Sequence, residues 1–269
     1  ADVTRSMDAL TALTSQAQNP AVKTELTKAQ DGWRRLREKS AAPEWKLADS
    51  MAHHNDLIEQ VLVVSDLLTD DFGLSLDPEV DTYQLIQYSM VLLPPYIEEL
   101  GKVRAVGAGA LTRGKRTEDE YRNLLIGLSH VAEEQKNMDR AFQKAAAASP
   151  LIRTQLEGLI KEATVATDVA EKMAREKVLD PAQPSLTAPE FFAALGKAVD
   201  TQVKVADTAM ATVDSLLGAR IAALKQTLMG LAVAVVLLLG LGAWVALVAA
   251  RSIIRQIGGE PTELVTVAN

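Results

Sequence analysis

Residues 226 to 250, QTLMGLAVAVVLLLGLGAWVALVAA, carry no charged side chain, and Lys225 and Arg251 bracket them. At about 1.5 Å per residue, a helix of this length exceeds the roughly 30 Å hydrocarbon core of a bilayer. Trp244 lies near one end, where an amphipathic ring favours the interface. The run sits far from the N-terminus, which excludes a signal peptide. The chain is therefore expected to divide into an outer segment 1–225, a transmembrane helix 226–250 and a tail 251–269. Arg251 and Arg255 follow the span closely and favour the cytoplasmic side for the tail, although Arg220 and Lys225 blur that asymmetry. All but two each of the basic and acidic residues precede residue 226, so the outer segment holds the whole net charge of −7.

That acidity argues against nucleic acid as a partner, because a phosphate backbone needs a basic face. It also argues against spreading on anionic lipid. Aromatic residues make up only 4% of the chain, and Ala, Leu, Val, Glu and Lys dominate, which favours helices over sheets. Cysteine is absent, in keeping with an oxidising compartment. The three histidines, His53, His54 and His130, do not have the spacing of a zinc site. Gly101, Gly107 and Gly109 lie on a helical pattern rather than after a strand, so they form no dinucleotide fingerprint. No catalytic constellation, metal site or cofactor is expected, and no enzyme.

From residue 1 to 225 apolar side chains recur at alternating steps of three and four, the signature of packed helices. Val22, Leu26, Ala29, Trp33 and Leu36 mark one helix, ending before Pro43. Leu47, Met51, His54, Ile58, Val61, Ser65 and Leu68 mark the next, ending at Gly73. Asp77 and Pro78 are expected to cap and start a third, with the seam Tyr83, Ile86, Met90, Leu93, Ile97, Leu100. Thr117 and Glu120 form a capping box for a fourth, with Tyr121, Leu124, Leu128, Val131, Gln135, Met138 and Phe142 on its seam. A fifth starts at Pro150. After the break DPAQPSLTAPE, residues 180 to 190, the seam Val199, Val203, Ala206, Met210, Val213, Leu217 leads into the span. Residues 1 to 18 carry a weaker seam through Met7 and Leu10. Short connections between long amphipathic helices make antiparallel neighbours. The fold class is all-α, a long antiparallel bundle: two four-helix bundles stacked end to end, or one with flanking helices.

Two irregularities point to a site. The third seam continues onto Arg104 and Gly107, so a guanidinium occupies a position where a helix faces its neighbour. Pro94 and Pro95 lie mid-helix and donate no hydrogen bond, which deprives the carbonyls of Met90 and Val91 of α-helical partners. Pairing consecutive helices antiparallel sets His54 and Gln135 level with Pro95, and Trp45 opposite Arg104. Either this layer is a polar clasp that fixes register, or the kink opens a ligand cavity. Arg104 leans toward the proline layer and could hold a carboxylate bidentately. It could equally stack on Trp45, pair with an acid or reach solvent. The ligand-binding candidates are thus Arg104, His54 and Gln135, with Tyr83 added although its place near a hairpin loop suits packing. The run WRRLREK reads as a solvated face with Arg34 and Glu38 paired.

The tail RSIIRQIGGEPTELVTVAN resembles the start of a HAMP linker, in Arg251, Ser252, Ile253 and in Gly258, Gly259, Glu260, Pro261, with Gln256 where a Pro is common. The run from Phe72 to Gly107 is similar to helical periplasmic sensor domains of bacterial chemoreceptors. Leu76, Asp77, Pro78, Asp81, Thr82, Tyr83, then Leu93, Pro94, then Leu100, Gly101, Arg104 carry that likeness. The resemblance implies a methyl-accepting chemotaxis protein of the bacterial inner membrane, its residues 1–225 periplasmic. It also implies a homodimer, a first span before Ala1 and a cytoplasmic signalling domain beyond residue 269. The expected ligand is a small molecule, with an organic acid the class Arg104 suggests. The sensor half of a histidine kinase or diguanylate cyclase, and a membrane tether that binds no ligand, remain open.

Overall fold

The computed structural model describes residues 2–40, 45, 47–180 and 186–257. Among them every regular element is helical. In order they are α1 (Asp2–Thr14), α2 (Pro20–Ser40), α3 (Leu47–Asp71), a 3-10 turn (Leu74–Leu76), α4 (Val80–Ile86) and a π-helical segment (Gln87–Leu92). There follow α5 (Leu93–Thr112), α6 (Glu118–Ala148), α7 (Pro150–Ala174), a π turn (Arg175–Leu179) and α8 (Ala188–Ile257). The all-α expectation holds. The chain forms two compact units, Ala1–Asp214 and Ser215–Asn269.

In the first unit, α4, the π segment and α5 pack against α6, and α6 against α7. The first residues of α8 close this four-helix bundle, through Phe191 on α5 and Gln202 on α7. Its core is fully buried: Leu85, Leu93, Tyr96, Leu128, Met138 and Ile152 are among the side chains that water does not reach. Helix α3 touches α5 and the π segment, and α1 and α2 pack onto α3's other side. A second core fills that layer, with Val22, Leu26, Val64 and Leu68 at one end and Met7, Ala29, Leu36 and Leu57 at the other. One bundle with flanking helices is therefore the arrangement of unit one.

Local chemistry fixes the element ends. Thr117 and Glu120 form the predicted capping box, the Thr117 hydroxyl accepting from Glu120 N and the Glu120 carboxylate accepting from Thr117 N. Gly114 ends α5 and Gly73 follows α3, each with φ near +70°, a conformation that glycine alone adopts without strain. Asp71, at the end of α3, receives the amides of Gln18 and Asn19 at 2.8 and 2.7 Å and so closes the α1–α2 turn. A second capping box, Thr187 with Glu190, starts α8 and went unread in the sequence.

Several expectations are corrected. α4 begins at Val80, two residues after Pro78, because the Asp77 carboxylate is spent on Glu79 N and the Thr82 hydroxyl. The proline pair does not sit in a broken α-helix. The chain widens into the π segment just before it, with Leu93 N donating to Tyr88 O five residues back, and the prolines open α5. Arg34 pairs with Asp31 rather than Glu38. Along most of α3 the buried face lies one residue off the expected seam: Leu57 and Val64 are buried and His54 is exposed, while Leu68 is buried as expected. α8 is offset in the same way, burying Leu195, Ala198, Gln202, Val205 and Ala209 and leaving Val203 and Met210 exposed, although Val213 is buried as expected.

The second unit contains the uncharged stretch of α8. Leu228, Leu231, Val236, Leu237, Leu238 and Leu247 are all exposed there, so this is a candidate membrane span rather than a core helix. Of the HAMP-like residues, Arg251, Ser252 and Ile253 lie on the end of α8; Gly258, Gly259, Glu260 and Pro261 lie outside the described residues.

Candidate functional site

The two halves of the predicted site separate. The proline level is occupied by a polar layer centred on Tyr96, the residue after Pro95. Its hydroxyl donates to Gln135 Oε1 at 2.6 Å, and Gln135 Nε2 donates to Asp139 at 3.0 Å and Thr164 at 3.5 Å. Tyr96 is fully buried. Burial above all, with Asp168 and Asp139 nearby, raises its pKa far beyond the ordinary phenol value, against a lowering contribution from Thr167. The phenol therefore stays protonated and keeps its role as donor. The α5–α6 register is as the sequence predicts, with Gln135 level with the prolines. This layer joins α5, α6 and α7 through Tyr96, Gln135, Asp139 and Thr164, an arrangement that suits a register clasp.

His54 is absent from that layer. It is exposed, its Nδ1 2.7 Å from Ser50 O and its ring stacked on Trp45 with centroids 6.3 Å apart. Its neighbour Asn55, with Glu59 and Leu62 of α3, lines a cleft of about 230 Å³ that Pro95, Glu98 and Lys102 of α5 also line. Burial first of all, then Glu99, raises the Glu98 carboxyl above its ordinary pKa, while Lys102 pulls it back. Tyr83 is half-buried in the first turn of α4. It stands on the order of 30 Å along the helical rod from Arg104. The four candidates do not converge.

Arg104 stands alone in a useful way. It is half-buried on α5 and makes no hydrogen bond or ion pair among the described residues. What answers its charge is an aromatic face: its Cζ lies 4.6 Å from the ring centroid of Phe192 on α8. The stacking partner is therefore not Trp45, which packs against His54 and the α1–α2–α3 core. Beside it, α5 and α8 approach closely. The Phe191 ring fills the place of a side chain at residue 107, and a Cβ on Gly107 would fall 2.3 Å from Cε1 of that ring. A Cβ on Gly196 would sit 3.8 Å from Arg104 Nη1, so the guanidinium lies beside α8 at that residue. Sequence reading placed Arg104 at an interface but missed Phe192, whose signal was the Phe-Phe pair just after the 180–190 break.

A guanidinium with one face on a ring and its N–H edges unspent is matched to a planar oxyanion, which it can hold by two parallel hydrogen bonds. The family model described as nitrate and nitrite sensing, NIT, matches residues 1–214. The chain belongs to the NIT family. No curated protein matches it, and no solved structure matches it. The matched residues are those of the first compact unit, so the bundle just described is the NIT domain. Such domains are the periplasmic sensing parts of membrane signalling receptors, and their ligand is a small molecule, nitrate or nitrite. The sensor expectation stands at that level; the family description names nitrate and nitrite and does not name an organic acid.

Proposed function

We propose that this chain is the sensing portion of a receptor in the bacterial inner membrane that detects nitrate or nitrite in the periplasm. In this reading Arg104 receives the anion, and α8 carries the response across the membrane through residues 226–250. The observation that carries it is the half-buried Arg104, without an acidic partner among the described residues, in a chain of the NIT family. At about 4 Å and an effective dielectric near 20, one charge pair contributes about 4 kcal/mol before desolvation. The repulsive field of the −7 chain is screened beyond a Debye length of about 8 Å at physiological salt, so the local contact prevails. An organic carboxylate presents a similar planar oxygen pair and is the competing ligand class.

Downstream of the span, the Arg251-Ser252-Ile253 start supports a HAMP linker, with chemotaxis the preferred output and a homodimer the expected form. A histidine kinase or diguanylate cyclase output would use the same linker. No catalytic role is assigned to the chain itself. The test is calorimetric titration of the detergent-solubilised full chain with nitrate, nitrite, formate, small organic acids and chloride. Saturable binding of nitrate or nitrite, lost in Arg104→Gln, is expected. Preference for a carboxylate would return the organic-acid reading, and no binder at all would favour the tether. Binding that survives Arg104→Gln would move the site elsewhere.

A further inference from the structure

We infer that Phe192 is the positioning residue of the oxyanion site, and that through it anion recognition on α5 depends on where α8 sits. This rests on the Arg104 reading above and goes beyond it. A free arginine side chain must lose rotamer freedom before it can hold an anion bidentately. Here the Phe192 ring, 4.6 Å from Cζ, takes one face of the guanidinium. That contact spends no N–H, so the hydrogen-bonding edges stay available. Gly196 on α8 lies beside the same guanidinium, a Cβ there falling 3.8 Å from Nη1, in ordinary contact.

Burial alone does not explain Phe192. The ring is 51% exposed, whereas its neighbour Phe191 is fully buried and does the packing against Gly107. The division of labour is clear: Phe191 anchors α8 to α5, and Phe192 faces the cation. Arg104 and Phe192 belong to different helices of the bundle, and α8 is the helix that holds the candidate span. By linkage, any shift of α8 that withdraws Phe192 lowers anion affinity, and bound anion favours the α8 position that keeps the ring in place.

The experiment is nitrate titration by calorimetry on the full chain in detergent, comparing wild type, Arg104→Gln, Phe192→Leu and Phe192→Tyr, each checked for an unchanged melting curve. Leu keeps bulk and loses the π face; Tyr keeps both. Phe192→Leu is expected to weaken nitrate binding roughly two- to five-fold, the size of an exposed cation–π contact, and Phe192→Tyr to restore it. Phe192→Leu binding as wild type does, while Arg104→Gln abolishes binding, overturns the inference and leaves the Arg104 site standing. Tyr and Leu equally impaired overturns it too, since that outcome points to shape rather than the ring face. Wild type failing to bind nitrate, or Arg104→Gln binding normally, overturns both readings.

Discussion

Single positions decide the character of the α5–α8 interface. Gly107 lies on the seam the sequence already marks, but only the packed structure shows why a side chain is excluded: the buried Phe191 ring occupies its place. Gly107→Ala must push that ring or the whole helix aside, an overpacking cost of about 1–3 kcal/mol. Urea unfolding of the full chain should show the loss; an unchanged midpoint would mean that α8 is free to shift there. His54 shows the reverse case. A seam read through His54 and Ile58 differs by one residue from the buried one through Leu57 and Val64, and a step of one turns a helix by 100°. Apolar spacing of three and four fits both faces of a helix that has neighbours on two sides, as α3 has, so the sequence alone could not choose.

Element ends were more legible than faces, because their signals are local. The Thr117–Glu120 box, the Gly73 stop and the Pro150 start all appear as read. The π segment did not, since a proline pair announces missing donors but not how the helix re-pairs its carbonyls. The capping boxes also set a pH dependence. Burial tends to raise the Glu120 pKa, but hydrogen bonds from Thr117 N and Arg113 outweigh it and leave the pKa below its ordinary value. Glu190 is lowered by the Thr187 hydroxyl and amide. A depressed folded pKa contributes stability above the unfolded value, near 4.3, and loses it as pH falls through the folded one. Glu98, raised, runs the other way: its contribution is present at low pH and is lost as pH rises. Hydrogen exchange should therefore show the first turns of α6 and α8 opening on acidification while the α5 turn around Glu98 holds, and Glu120→Gln should flatten the α6 response. Uniform opening of all three would contradict this assignment.

At the scale of the whole molecule, the fold class, the candidate span and the helical sensor character could be read from the sequence, because they rest on long patterns: an uncharged run bracketed by Lys225 and Arg251, and heptad-like spacing throughout. The site was half legible. Arg104 betrayed itself as a charge on a seam, while its partner Phe192 came from a helix nearly ninety positions away whose rotation the spacing misjudged by one residue. On the proposed reading, an oxyanion held on α5 is reported through the packing of α8. Because the chain has no cysteine, spin labels at Thr112→Cys on α5 and Lys197→Cys on α8 can be read without background. Double electron–electron resonance on the full chain in nanodiscs should show a saturable, nitrate-dependent change in the α5–α8 distance that disappears in Arg104→Gln. Identical distance distributions with and without nitrate, in a protein that demonstrably binds it, would contradict the account.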